Sequence, residues 1–428
     1  MKVNKGLIGL SPLILFVLFY LTASLIAGDF TKVPVLVAFF FASIYAVAIT
    51  RGLSLPDRVR VFGRGAGAPK VIFMLLILFI AGAFAKNAED MGCIGETVNC
   101  ILKVLPSRFV YLSIFVAGCF VSFATGSGLG SIVAVGPIAV GLAQACGSSL
   151  PFMCANVVCG AIFGDNLSFI SDTTIIATTS QGCQPKDKFF TNLKIALPAA
   201  IITAVLYLFA GKNLQPVTVT ESVNYIKIIP YLAVIIMSVL GMDVLILLLS
   251  GSALCGIMGM AMGEFDFYGW LASIEAGING MGPLALIFIM ASGLMALVKH
   301  NGGLDFLVSA CTRFVRGRRS AEACISLLSA LVCACTSNNT IAIMSVAPIA
   351  KDLSDRFGVD PRRAASLLDT SSCIMLEFLP YSTHLLAAAA FAGISASQLI
   401  PYVFYPFALL LFLIIMIVAG GPRKKIAQ

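Results

Sequence analysis

The chain has 428 residues, of which 59% are apolar and 11% charged, where a soluble domain has about a quarter of its residues charged. That composition excludes a soluble enzyme or binding module and makes an integral membrane protein. The formal net charge of +8 does not point to nucleic acid, because the Lys and Arg residues sit in short loops between apolar runs, where they set topology.

In chain order, runs long enough to cross hydrocarbon, which takes about 20 residues, cover Leu7 to Ala27, Val33 to Thr50 and Val71 to Ala85. Then come Leu193 to Ala210, Tyr225 to Leu240, Val244 to Met262, Leu284 to Val298 and Tyr402 to Ala419. The first has Lys2 and Lys5 ahead of it and "ASLIAG" behind it, like a signal peptide. With so many spans following, it reads as a retained first helix. Residues 109 to 139 and 320 to 350 are apolar with polar centres, "ATGSGLGS" and "CTSNNT". The stretch from Phe152 to Ser180 is a span with an irregular middle. The 13 cysteines, scattered through apolar segments, read as small packing residues and not as a metal site.

An internal repeat organises these runs. "TGSGLGSIVAVGPIAVGLAQACG" from Thr125 aligns without a gap to "TSNNTIAIMSVAPIAKDLSDRFG" from Thr336, pairing Pro137 with Pro348 and Gly147 with Gly358. The same register pairs Gly82 with Gly293 and Gly92 with Gly303, and a one-residue slip sets "FISDTT" beside "LPYSTH". Charges in paired loops differ. Residues 86 to 108 are neutral, whereas 299 to 319 hold Lys299, Arg313, Arg316, Arg318 and Arg319 against Asp305. The loop 140 to 151 is uncharged, whereas 351 to 363 has Lys351, Arg356, Arg362 and Arg363. The positive-inside rule then orients the halves oppositely.

With both termini cytoplasmic, Arg51, Arg58, Arg60, Arg64 and Lys70 fall inside, as do Lys186, Lys188, Lys194 and the terminal Arg423, Lys424 and Lys425. Glu264, Asp266 and Glu275 fall outside. The threading requires 109 to 139 and 320 to 350 to enter and leave on one side. The predicted fold is an all-α polytopic membrane protein with about ten transmembrane helices plus two re-entrant hairpins, in two inverted-topology repeats with helices broken at the midplane. Such an architecture marks secondary transporters, whose sites lie where the broken segments meet.

The hairpin tips are Thr125, Gly126 and Ser127 in one half and Thr336, Ser337, Asn338, Asn339 and Thr340 in the other. In "FGDNLSFISDTTIIATT", Asp165 and Asp172 are polar groups that cost about 2.5–3.5 kcal/mol at a helix centre. If the helix opens near Ser168 to Ser171, then Ser171, Thr173, Thr174 and free carbonyls converge with the two carboxylates as oxygen ligands for a hard cation. A buried carboxylate holds either a proton or a cation, rarely both, which is the simplest chemistry for exchanging Na⁺ against H⁺. The second half offers Glu377, Ser382, Thr383 and His384 at the matching depth, with Asp369. Plainer roles compete. Asp165 suits an N-cap, Asp172 can pair with an interfacial Lys, and a lone His such as His384 is commonly a hydrogen-bonded core residue. Asp243 and Asp369 lie near predicted helix starts, where capping is the expected role.

The string "GDNLSFISDTT", with "TGSG" before it and "KDKF" after it, resembles the NhaC-type Na⁺/H⁺ antiporters, part of an ion-transporter superfamily built on inverted repeats with two hairpins. The superfamily's Ser-Asn-Thr hairpin signature is matched by Ser337, Asn338 and Thr340 with an extra Asn339, and poorly by Thr125, Gly126 and Ser127. Family members often have proline after the serine of the Gly-Asp string, where this chain has Phe169; Pro380 keeps a break in the second half. The resemblance implies a scaffold, a moving transport part, elevator-type alternating access and a homodimer in the cell membrane. On that division 1–85 and 224–298 are scaffold, 86–194 and 299–393 carry the hairpins and broken helices, 195–223 connects the halves, and 394–428 holds the last helix and a basic C-terminus.

Na⁺ and H⁺ are the expected partners besides lipid, with no resident cofactor, no enzymatic activity and no nucleic acid. The alternative is Na⁺- or H⁺-coupled movement of a small organic acid or amino acid, malate- or lactate-like. An intramembrane aspartyl protease would need two acids facing each other from separate helices, and Asp165 and Asp172 share one segment. A channel would conduct without coupled counterflow.

Overall fold

The computed structural model describes residues 2–27, 33–212, 214, 222–240 and 242–420. Arg423, Lys424 and Lys425 lie outside the described residues, as do most of the loop joining the halves and the side chains of Lys2, Lys5 and Lys70.

The described residues form α-helices with short connections. The first half holds α1 (Lys2–Ala27), α2 (Val35–Ile49), α3 (Leu55–Ala66), α4 (Pro69–Asp90), α5 (Cys93–Val104), α6 (Val110–Thr125), α7 (Gly128–Ala145), α8 (Leu150–Leu167), α9 (Asp172–Gln181) and α10 (Pro185–Gly211). The second holds α11 (Tyr225–Val239), α12 (Val244–Met262), α13 (Phe267–His300), α14 (Gly303–Thr312), α15 (Arg318–Thr336), α16 (Asn339–Phe357), α17 (Pro361–Leu376), α18 (Thr383–Ala392) and α19 (Phe404–Ala419). Among the described residues nine helical stretches are long and apolar enough to cross a membrane, counting Leu150–Gln181 as one despite its break. Large apolar side chains such as Phe40, Ile201, Leu206, Leu249 and Leu411 stay exposed on the outer helices, as a lipid-facing surface requires.

Two expectations give way here. The basic stretch after α2 is a helix and not a loop. Ser54 caps α3 by accepting from Asp57 N, and Pro56 sits in the first turn. Arg58 donates to the carbonyls of Val47 and Ala48 at the end of α2 and to Leu53 O, so its charge answers that helix's unpaired C-terminal carbonyls. The span expected from Leu284 is the second part of a 34-residue helix that Asp266 caps, and Glu275 lies inside that helix, not in a loop. Helix α13 packs on α2, α3 and α4. Its approach to α4 is close because Gly82 faces Gly277, where a Cβ on residue 82 would meet Gly277 O at 2.4 Å. Small residues at a contact let helices in lipid approach backbone to backbone.

Helices α6 and α7 form a tight pair, as do α15 and α16, and matched contacts recur at positions that the sequence alignment pairs. Thr125 Oγ1 donates to Val121 O and Thr336 Oγ1 to Val332 O, each at 2.9 Å. Ser127 caps α7 by accepting from Gly130 N, and Asn338 caps α16 by accepting from Ile341 N. Between them stand Gly126 at φ 66° and Ser337 at φ 49°, both left-handed. The turn is natural for glycine and strained for serine; Ser337 is held there by donating its Oγ to Tyr381 O at 3.0 Å. Each pair packs on a broken helix, α6 on α8 and α15 on α17, with Ser122 Oγ donating to Ala161 O and Cys333 Sγ to Ser372 O.

Candidate functional site

Helix α8 stops at Leu167 and α9 starts at Asp172, so the break expected between Ser168 and Ser171 exists although Phe169 stands where proline was absent. Side chains hold it open. Ser168 Oγ donates to Phe123 O at 3.0 Å, and Thr174 Oγ1 donates to Ser168 O at 2.8 Å. Phe169 stacks on Phe189 with ring centroids 4.6 Å apart. The second break, between α17 and α18, contains Pro380.

Asp165 sits in the last turn of α8, buried, and is not an N-cap; its Oδ1 accepts from Ser171 Oγ at 2.7 Å, and Ser171 Oγ lies 2.8 Å from Thr173 Oγ1. Asp172, the first residue of α9, is exposed into a cavity. Its Oδ2 accepts from Thr340 Oγ1 at 2.8 Å and its Oδ1 from Thr173 N. Asp172 is thus bonded to a hydroxyl from the other half's turn.

The cavity, about 300 Å³, is where the halves meet. Asp165, Asp172 and His384 line it together with the turn residues 126–129 and with Asn339 and Thr340. Its opposite wall is Phe73, Met74 and Ile77 of α4 and Asp243 and Val244 of α12. Asp243 caps α12 as expected, its Oδ1 accepting from Leu245 N. His384 approaches Gly128 so closely that a Cβ there would lie 3.0 Å from its Nε2. On its other side His384 Nδ1 is 2.6 Å from Glu377 Oε1, both residues buried. Glu377 Oε2 has no hydrogen-bond partner among the described residues.

Other expected site residues serve the frame. Ser168, Thr174, Ser382 and Thr383 are not among the cavity's lining residues; Ser382 caps α18 by accepting from Leu385 N. Thr125, Thr336, Ser337 and Asn338 shape the turns.

Asp369 corrects the expectation of a helix cap: it lies mid-way along α17, fully buried, and pairs with Lys188 at 2.7 Å. Asp360 is the residue that caps α17, accepting from Arg362 N. Lys188 is not a loop charge. Capped by Gln184, α10 begins early enough to carry it inside, where its Nζ also donates to Asn166 O at 2.9 Å and Thr174 Oγ1 at 2.5 Å. Asn166 Nδ2 donates to Asp369 Oδ2 and Thr370 Oγ1, and Asn192 Nδ2 to Asn166 O. Burying an ion pair is costly unless such hydrogen bonds complete it. One signal was available: Lys188 and Asn192 are four apart, on one helix face.

A model of the Na⁺/H⁺ antiporter family matches residues 6–212 and 214–421. An uncharacterized Na⁺/H⁺ antiporter of Haemophilus influenzae is 23% identical over 84% of this chain and 85% of its own length. The Na⁺/H⁺ antiporter NhaC of Alkalihalophilus pseudofirmus is 20% identical, covering 96% of each chain. The malate-2H⁺/Na⁺-lactate antiporter of Bacillus subtilis is 21% identical over 88% of each.

Proposed function

This chain belongs to the Na⁺/H⁺ antiporter family, and on that premise we propose that it exchanges Na⁺ for H⁺ at Asp165 and Asp172. The observation that carries the reading is the cavity in which these two carboxylates meet the turns of both halves. Asp172, open to the cavity, receives the ion first; Asp165, deeper and bonded to Ser171, receives it next or holds the proton. Ser171, Thr173, Thr340 and the turn backbone supply further oxygens. His384, on the cavity wall, and Glu377, buried behind it, form a second, coupled proton-holding pair.

The two halves are inverted repeats in the membrane, with both termini cytoplasmic, and the α6–α7 and α15–α16 pairs are re-entrant hairpins. The contrast between residues 140 to 151, which have no Lys or Arg, and residues 351 to 363, which have Lys351, Arg356, Arg362 and Arg363 beside three aspartates, supports this orientation. Residues 86–194 and 299–393 move as the transport part against a scaffold of 1–85 and 224–298, an elevator motion, in a homodimer of the cell membrane. The cavity has one wall from each part, which suits that motion.

The test uses purified protein in liposomes with a trapped pH dye and pulses of Na⁺, Li⁺ or K⁺, without organic solute. Na⁺- or Li⁺-driven pH change is expected, and Asp172→Asn is expected to abolish it while leaving insertion and fold intact; full activity in that variant would sink the assigned role. A second reading, coupled movement of a small organic acid, is supported by the similarity to the malate-2H⁺/Na⁺-lactate antiporter. Silence with cations alone, followed by pH change when malate or lactate is added, is its signature.

A further inference from the structure

Lys188 brings a full charge into the protein interior, 1% exposed, opposite an Asp369 that is 0% exposed. Its three contacts are all to oxygen: the carboxylate of Asp369, the main-chain carbonyl of Asn166 and the hydroxyl of Thr174. An ammonium has three donors and no acceptor, so this set satisfies it completely. The ligands come from three helices. Asn166 closes the last turn of α8, Thr174 opens α9 across the break, and Asp369 belongs to α17 of the other half. A freed carbonyl at a helix interruption, a hydroxyl and a carboxylate are the donors by which broken membrane helices hold alkali cations. None of these residues lines the Asp165–Asp172 cavity.

We propose that the Lys188 ammonium is a tethered cation, filling a monovalent-cation site at the first helix break that is distinct from the transport cavity. Because the ammonium is covalently attached, it pairs with Asp369 without ever dissociating from the chain. The oxygens at the break thereby demand no mobile ion, and the number of Na⁺ bound per chain is limited to what the cavity holds. The surrounding amides fix the site's shape: Asn166 Nδ2 donates to Asp369 Oδ2 at 3.0 Å, and Asn192 Nδ2 donates to Asn166 O at 3.1 Å. Removing the ammonium leaves the buried Asp369 carboxylate facing the Asn166 carbonyl, which then accepts only from Asn192, and a Na⁺ can bridge the two oxygens.

The experiment counts radiolabelled Na⁺ bound by full-length protein in nanodiscs, by equilibrium dialysis at alkaline pH, for wild type, Lys188→Met and Lys188→Met with Asp369→Asn. The expected result is an additional Na⁺ per chain in Lys188→Met, lost again in the double variant. An unchanged count in Lys188→Met, or an extra ion that persists in the double variant, overturns the proposal. Where Lys188→Met does not fold, Lys188→Gln carries the same count, since its amide still donates to Asn166 O without a charge. Wild-type protein that binds no Na⁺ would sink the exchange reading; the difference between variant and wild type decides this one separately.

Discussion

Gly128 stands where the first turn touches the second broken helix. An added Cβ would lie 2.9 Å from His384 Cε1 and 3.7 Å from Asp165 Cβ, closer than a ring held by Glu377 can yield without moving. Overpacking of this kind costs about 1–3 kcal/mol of stability, so Gly128→Ala should lower the unfolding midpoint in detergent and, by displacing His384, slow Na⁺-driven proton movement in the liposome assay. At this scale the sequence was informative where a residue was out of place in its own surroundings. Asp165 and Asp172 stood out because carboxylates in an apolar run need a reason. Asp369 and Lys188 did not, because each had a sufficient local explanation, a helix start for one and a basic loop for the other. Their partnership spans the two halves, and no short-range pattern encodes it.

The helix breaks and turns are the elements on which the site hangs. Ser127 and Asn338 each close an otherwise open first turn, so Ser127→Ala and Asn338→Ala should each cost about 1 kcal/mol, measured as a lowered unfolding midpoint in detergent. Gly126 and Ser337 share a left-handed backbone, and that equivalence was legible from the aligned Thr125 and Thr336. The first break was legible only as a possibility, since propensity rules look for proline or glycine, and Ser168, Thr174 and Lys188 act through contacts beyond the segment. Helix α3 was missed for a related reason: its arginines read as a topogenic loop, while the role of Arg58 in covering the end of α2 needs the neighbouring helix to be seen.

At the scale of the whole molecule, the proposed opposite orientation of the halves can be tested without transport. In a cysteine-free background, Ser149→Cys, in the loop after α7, and Asp355→Cys, in the last turn of α16, are both at exposed positions. A membrane-impermeant maleimide should label the first from outside intact cells and the second only after permeabilisation; labelling of both from one side would discard the inverted arrangement. The repeat and the loop charges were enough to expect this from sequence, because both are long-range regularities written along the chain. The breaks differ in one further respect. Pro380 interrupts the second helix by its ring, whatever its neighbours are, whereas the first interruption lasts only as long as Thr174 and Lys188 keep its carbonyls occupied and Ser168 stays tied to Phe123 O. Point mutation can therefore wind the first helix shut but cannot easily straighten the second, and the two breaks carry unequal mutational risk.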